Sequence, residues 1–198
     1  MSLKAISSLS PNEFEKFLDS FDTVLTDCDG VLWIENEVVK GSPEVINKFK
    51  TLGKKVFFVT NNSTKTRDEF LGKFKSLGFN ANKEEIVSTA YLTAQYLSSM
   101  NFNKKVYVIG SKGITKELDN VGIKHIGEGP DPMVSSLTSL VDNMSLDPDV
   151  GAVVVGFDIH FSVPKMIKAA TYLERKGSIF IATNTDEQYP IDAGVVMP

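Results

Sequence analysis

The sequence predicts an α/β protein with a mainly parallel sheet and a second, smaller α/β unit. Three observations lead there. Short apolar, β-rich runs alternate with stretches of helical spacing over most of the chain; the first two runs, "TVLTD" and "KKVFFVTNN", end in polar clusters; and a second series of strand and helix signals starts after a break near Asn101 to Lys105.

Taken in order, Pro11 to Ser20 reads as a short amphipathic helix, because Ser10 can act as N-cap, Pro11 suits the first helical position and Glu13 the third. "TVLTD" is the first strand. "PEVINKFKTLG" is a helix closed by Gly53, and "KKVFFVTNN" is a buried strand, which makes a β-α-β unit. A helix at "TRDEFLGKFKSLG", a short strand at "EIVST" and a helix at "AYLTAQYLSSM" continue the pattern. The second series runs through "KVYVIGS", "GITKELDNVG" and "IKHIG", crosses a Pro/Gly/Asp-rich loop "EGPDPM", and resumes with "VGAVVVGFD", "VPKMIKAATYLERKG" and "SIFIATN". No internal repeat or low-complexity segment interrupts it.

Bulk properties narrow the function. The chain of 198 residues is 42% hydrophobic with a formal charge of −4, which fits a folded globular protein. No stretch clusters enough Lys and Arg to track a phosphate backbone, so nucleic acid is not expected as a partner. An anionic substrate must then be attracted locally. The single cysteine, Cys28, excludes an internal disulfide framework and fits a reducing compartment. "VGAVVVGF" is too short to cross a bilayer, and "MSLKAISSLSPNEFEKFLDSF" has no basic region followed by an apolar core. The expectation is a soluble cytosolic protein without a membrane partner.

The chemistry lies in "DCDGVLW". Side chains at i and i+2 of a strand point to one side, so Asp27 and Asp29 face one site across Cys28. Two like charges about 4 Å apart near a protein surface repel by roughly 4 kcal/mol, so a cation, a shared proton or separate roles must resolve the conflict. One carboxylate can attack a phosphoryl group while the other protonates the leaving oxygen and later activates water. Mg²⁺ would relieve the crowding. Gly30 lets the backbone turn away sharply, and Thr60, Asn61 and Asn62, at the end of the next strand, can donate to phosphoryl oxygens without adding charge. In open parallel sheets ligands bind beyond the carboxyl ends of the strands, which is where both clusters sit.

"DCDGVLW" followed by "VTNNST" resembles the first two motifs of the haloacid dehalogenase superfamily, in its p-nitrophenyl phosphatase, phosphoglycolate phosphatase and pyridoxal phosphate phosphatase branch. The stretch from "DGVLW" to "GSPE" is similar to that family's squiggle and flap, and "GFDIHFSVPKMIKAATYL…IATNTDEQYP" to the branch's α/β cap. The resemblance implies a Rossmann-like parallel-sheet core, lacking its C-terminal part, with an inserted α/β cap: residues 1–103 core, 104–198 cap. It implies a Mg²⁺-dependent phosphatase of small phosphorylated metabolites that works through an aspartyl-phosphate. Asp27 is then nucleophile and metal ligand, Asp29 is general acid/base and metal ligand through its backbone carbonyl, and Thr60 to Asn62 bind the transferring group. It also implies a homodimer through the cap. Tyr189 is a further substrate-binding candidate; pyridoxal phosphate phosphatases tend to carry a histidine there, which argues against a pyridoxal substrate. The family's third motif, Gly-Lys-Pro, and fourth, Gly-Asp with a further Asp, do not occur before the chain stops at "DAGVVMP". The expectation is therefore the N-terminal two-thirds of a phosphatase, weak in Mg²⁺ binding and slow or inactive alone. The rival reading is an inactive fragment that serves as a cap-mediated dimerisation or binding module. A receiver-like domain phosphorylated on Asp27 would not need the second α/β unit.

Blander readings apply elsewhere. Asn184 and Asp186 are turn formers as readily as binding residues, His125 and His160 read as structural histidines, and Trp33 and Phe157 as packing. Lys65 and Arg67 read as a solvated helix start.

Overall fold

The computed structural model describes residues 5–134 and 136–186. The expected α/β fold with parallel sheets is present. By packing, the described residues form two compact units: one within 5–59 and 71–87, the other within 60–70 and 88–186.

The first unit opens with α1 (Pro11–Asp19), which carries the anticipated capping box: Ser10 Oγ accepts from the Glu13 amide and the Glu13 carboxylate accepts from the Ser10 amide. Strand β1 (Thr23–Thr26) leads into a hairpin of β2 (Trp33–Ile34) and β3 (Glu37–Val38), then α2 (Ser42–Thr51) and β4 (Lys55–Thr60). β1 and β4 pair in parallel with Thr23 opposite Lys55 and Thr26 opposite Phe58. Beyond α3 (Arg67–Ser76), β5 (Ile86–Ser88) completes a sheet of order β1-β4-β5. β1 lies at its edge, and Leu25 on it is 70% exposed.

The core of this unit is aromatic. Buried Trp33 meets Phe74 edge-on at 4.9 Å between ring centroids, Phe58 lies 4.2 Å from Phe74, and Phe79 closes the cluster. Such pairs add about 0.5–1.5 kcal/mol each beyond the area they bury.

The second unit contains α4 (Thr89–Ser99), β6 (Lys105–Ile109), α5 (Lys112–Asn120), β7 (His125–Ile126), α6 (Leu137–Asp142), β8 (Val150–Val155), α7 (Val163–Leu173) and β9 (Ile179–Ala182). Its sheet, β7-β6-β8-β9, is parallel throughout. Alternate residues of β6 and β8 face opposite layers. Val106, Val108, Ala152 and Val154 pack with Ala90, Ala94 and Leu97 of α4 and Ile114 and Leu118 of α5. Tyr107, Ile109 and Val153 pack with Ala169 and Tyr172 of α7. Burial on both faces is why "VGAVVVG" is apolar without alternation.

The core–cap boundary expected from the sequence, 103/104, falls between α4 and β6. α4 precedes that position, and its apolar face is covered by α5 and β6. Among the described residues no helix is long and apolar enough to cross a membrane.

Candidate active site

In the first unit, Asp27 and Asp29 follow the carboxyl end of β1 in a tight turn. Gly30 has φ of +81°, the left-handed region that costs an L side chain roughly 1–2 kcal/mol, and a Cβ there would meet nothing within 4 Å. Glycine is needed for conformation rather than for space. Its amide donates to the Trp33 carbonyl at 2.7 Å, while the Cys28 carbonyl accepts from the Leu32 amide at 2.8 Å and from those of Val31 and Trp33 at 3.3 Å. Each carboxylate is tied by Oδ1. Asp27 Oδ1 accepts from the Cys28 amide at 2.7 Å, and Asp29 Oδ1 accepts from the Trp33 indole N–H at 2.7 Å. Asp27 is exposed and Asp29 half-buried.

Trp33 therefore does more than pack. Its indole is wholly buried in the aromatic cluster, and Lys73 Nζ lies 4.2 Å from the ring centroid while donating to the Glu35 carbonyl at 2.7 Å. The Asp29 carboxylate is thereby referenced to the unit's core. Sequence reading gave Trp33 a packing role only; its four-residue spacing from Asp29 was the available signal.

Cys28, between the two aspartates, is fully buried. Burial, and next the Asp29 and Asp27 carboxylates, push its thiol well above the usual range, and Lys73 opposes them only weakly. As the chain has one cysteine, Ellman's reagent at pH 8 should find no reactive thiol in the native protein and one per chain in guanidinium. A full native reaction would show that the turn opens readily.

In the second unit, Thr60 ends β4 and is buried, with Asn61 and Asn62 directly after it. Thr60 Oγ1 accepts from the Asn62 amide at 3.1 Å, and Asn62 Oδ1 accepts from the Thr64 amide and hydroxyl at 3.0 and 2.7 Å. The Asn61 carbonyl accepts from Thr89 Oγ1 at 2.8 Å, and the Asn61 side-chain amide donates to the Asp186 carboxylate. Asp186 thus joins this loop, whereas Tyr189 lies outside the described residues.

Arg67 departs from the expected solvated helix start. Its guanidinium stacks on Tyr91 at 3.7 Å, and its amide, the first of α3, donates to the buried Glu117 carboxylate at 2.8 Å. A carboxylate at that helix end complements the dipole. His125 Nε2 pairs with Asp119 at 3.0 Å, in line with a structural histidine.

The carboxylates suit a hard divalent cation. Mg²⁺ takes one or two carboxylates with backbone carbonyls and several waters, and the turn offers the Asp27 carboxylate and the Asp29 carbonyl two residues apart. Among the described residues no group of three or more His, Cys, Asp or Glu forms a fuller cage.

Comparison with known proteins agrees with the geometry. The chain is 40% identical over 186 residues to the 4-nitrophenylphosphatase of Schizosaccharomyces pombe, covering 91% of this chain and 62% of the relative. It is 42% identical over 187 residues to phosphoglycolate phosphatase 1A of Arabidopsis thaliana, covering 92% of this chain and 51% of the relative. It therefore spans between about half and three-fifths of the length of these curated relatives. Among solved structures, the p-nitrophenyl phosphatase of Archaeoglobus fulgidus superposes with a TM-score of 0.71 at 27% identity, over 86% of this chain and 58% of that one. The family profile described as haloacid dehalogenase-like hydrolase matches residues 24–124, a span that holds both the Asp27–Asp29 turn and the Thr60–Asn62 loop, and on that match the chain belongs to the haloacid dehalogenase-like hydrolases.

Proposed function

We propose that this chain carries the nucleophile and phosphate-loop part of a phosphatase of small phosphomonoesters, of the 2-phosphoglycolate or p-nitrophenyl phosphate type. The observation that carries the reading is the Asp27–Asp29 turn, in which one carboxylate is exposed and the other is held by a buried indole. Two carboxylates in different surroundings can take different roles. The phosphatase names of the relatives support the same chemistry.

Asp27 attacks the phosphorus; the P–O bond to the ester oxygen breaks, and the leaving oxygen takes a proton from Asp29. Asp29, now ionised, accepts a proton from water as the water attacks the aspartyl-phosphate. Orthophosphate leaves and Asp27 is regenerated. Thr60 to Asn62 hold the transferring group. Mg²⁺, held by the Asp27 carboxylate and the Asp29 carbonyl, would supply charge neutralisation at the phosphoryl oxygens. On this reading residues 1–103 belong to the catalytic core and 104–198 to its cap, and the buried lone thiol fits a cytosolic setting. Hydrolysis of p-nitrophenyl phosphate with and without Mg²⁺ tests the reading, with Asp27→Asn as its control.

A second reading, a dimerisation module, is favoured by apolar side chains on the second unit. Leu137 and Val141 of α6, Ile159 and Phe161 in the loop after β8, and Val163 and Met166 of α7 are all exposed, Ile159 to 81%. Covering such side chains with a partner would take apolar surface out of water. The proposed partner is a second copy of this chain. Sedimentation equilibrium should give a dimer that Phe161→Asp converts to monomer; a monomeric parent protein would remove this reading.

A further inference from the structure

We propose that Gly113, Gly156 and Ser63 form a seat that fixes the Thr60–Asn62 loop, so that the two glycines are positioning residues for phosphoryl binding. The inference rests on the reading of Thr60–Asn62 as phosphate-binding.

All the groups involved lie in the second unit. Gly113 is the second residue of α5, where glycine weakens a helix, so its presence there calls for a reason. A Cβ at Gly113 would lie 2.4 Å from the Ser63 carbonyl oxygen and 2.6 Å from both Lys65 N and Thr64 C. These are backbone atoms, which no rotamer change moves aside. Gly156 follows β8, and a Cβ there would lie 2.7 Å from Ser63 Oγ and 2.9 Å from Thr183 Oγ1. Gly113 and Gly156 both lie outside the left-handed region, so conformation does not demand glycine at either place. Close approach does.

What is approached is the segment directly after the candidate phosphate loop. Ser63 is 2% exposed, and its Oγ accepts from Thr183 Oγ1 at 3.3 Å; Thr183 is held in turn by its amide donating to the Val155 carbonyl at 2.9 Å. On the other side of Ser63, Thr89 Oγ1 donates to the Asn61 carbonyl, and beyond the seat Glu117 fixes the first turn of α3. The loop is thereby referenced to α4, α5, β8 and the end of β9. None of the seat residues needs to touch a ligand, which separates their role from that of Thr60 to Asn62.

The test is an orthophosphate titration in Mg²⁺, followed by the amide resonances of Thr60 to Asn62, with thermal unfolding measured alongside. Gly113→Ala should weaken orthophosphate by about tenfold while the folded core spectrum is kept, since small displacements of positioned groups carry large penalties. Gly72→Ala makes the same chemical change in α3, where a Cβ meets nothing within 4 Å, and should leave the affinity unaltered. A glycine with only a structural role would lower the unfolding temperature without changing affinity in the folded protein. If Gly113→Ala folds and binds as the parent does, the proposal is overturned. If it does not fold, Ser63→Ala, which removes the hydroxyl and adds no bulk, decides: weakened binding supports the seat and parental binding overturns it. Should the parent itself show no phosphate response at Thr60 to Asn62, the phosphate-loop reading fails first and the seat with it; a response shared alike by parent and variants removes the seat alone.

Discussion

Asp27→Asn should lower the rate of p-nitrophenyl phosphate hydrolysis by roughly 10³-fold or more, because an amide cannot form the covalent phosphoryl intermediate. The substitution is conservative in every other respect. Asn Oδ1 can still accept the Cys28 amide bond that Asp27 Oδ1 makes, and one of two neighbouring like charges is removed. Since Asp27 is exposed, the unfolding temperature should stay level or rise slightly. Loss of activity in a protein at least as stable therefore reports chemistry and not collapse. Asp29→Asn should cost less, about 10²–10⁴-fold, the range of general acid–base catalysis. Steady-state rates over an Mg²⁺ series check both. Full activity in Asp27→Asn would remove Asp27 from the nucleophile role, and a variant that loses only its Mg²⁺ response would reassign it to metal binding. A parent chain with no turnover at all would shift the weight to the dimerisation reading, which Phe161→Asp then tests separately.

The elements that local chemistry specifies were legible in the sequence. The Ser10–Glu13 capping box sets α1, and the both-face burial of β8 is written in its unbroken apolar run. The DxDG turn was legible for a similar reason, as Gly30 takes the left-handed conformation its position in the motif implies. Two elements were not. α6 has only six residues, too few for a helical period, and rests on Ser136 Oγ accepting from the Ser139 amide. The β2–β3 hairpin has two residues per strand and turns through Glu35 at φ +51°, a residue type that gives no turn signal. Roles that depend on distant partners were hidden as well. Arg67 reads as a surface charge until Tyr91 and Glu117 are brought to it from α4 and α5, and nothing in the local sequence around Ser63 announces the close approach of Gly113 and Gly156. Thr60 to Asn62 could be singled out by residue type, whereas the groups packed around them could not, because such contacts join segments far apart in sequence.

Lys165 is the strongest instance, and breaking its ion pair should have the largest effect on stability. In "VPKMIKAATYL" it looks like an ordinary solvated lysine, yet its side chain is fully buried and pairs at 2.5 Å with Asp158, itself 2% exposed. The ammonium stands at the third position of α7, near the positive end of the helix dipole, so the helix does not stabilise it. Asp158 supplies the compensation, and its other oxygen accepts from the His160 amide at 2.8 Å, which shapes the loop into α7. Asp158→Ala leaves a buried, uncompensated cation and should destabilise the second unit by about 3–5 kcal/mol. That is a large share of the roughly 5–15 kcal/mol that holds a domain folded, and it should lower the unfolding temperature by roughly 10 °C. Lys165→Met should cost less than Asp158→Ala, since the remaining carboxylate keeps its bond from His160. The double variant Asp158→Ala/Lys165→Met removes both charges and should recover most of the loss. Thermal unfolding of the four proteins closes the cycle. If the double variant is as unstable as Asp158→Ala, the penalty comes from lost packing at the β8–α7 loop and not from an unpaired buried charge.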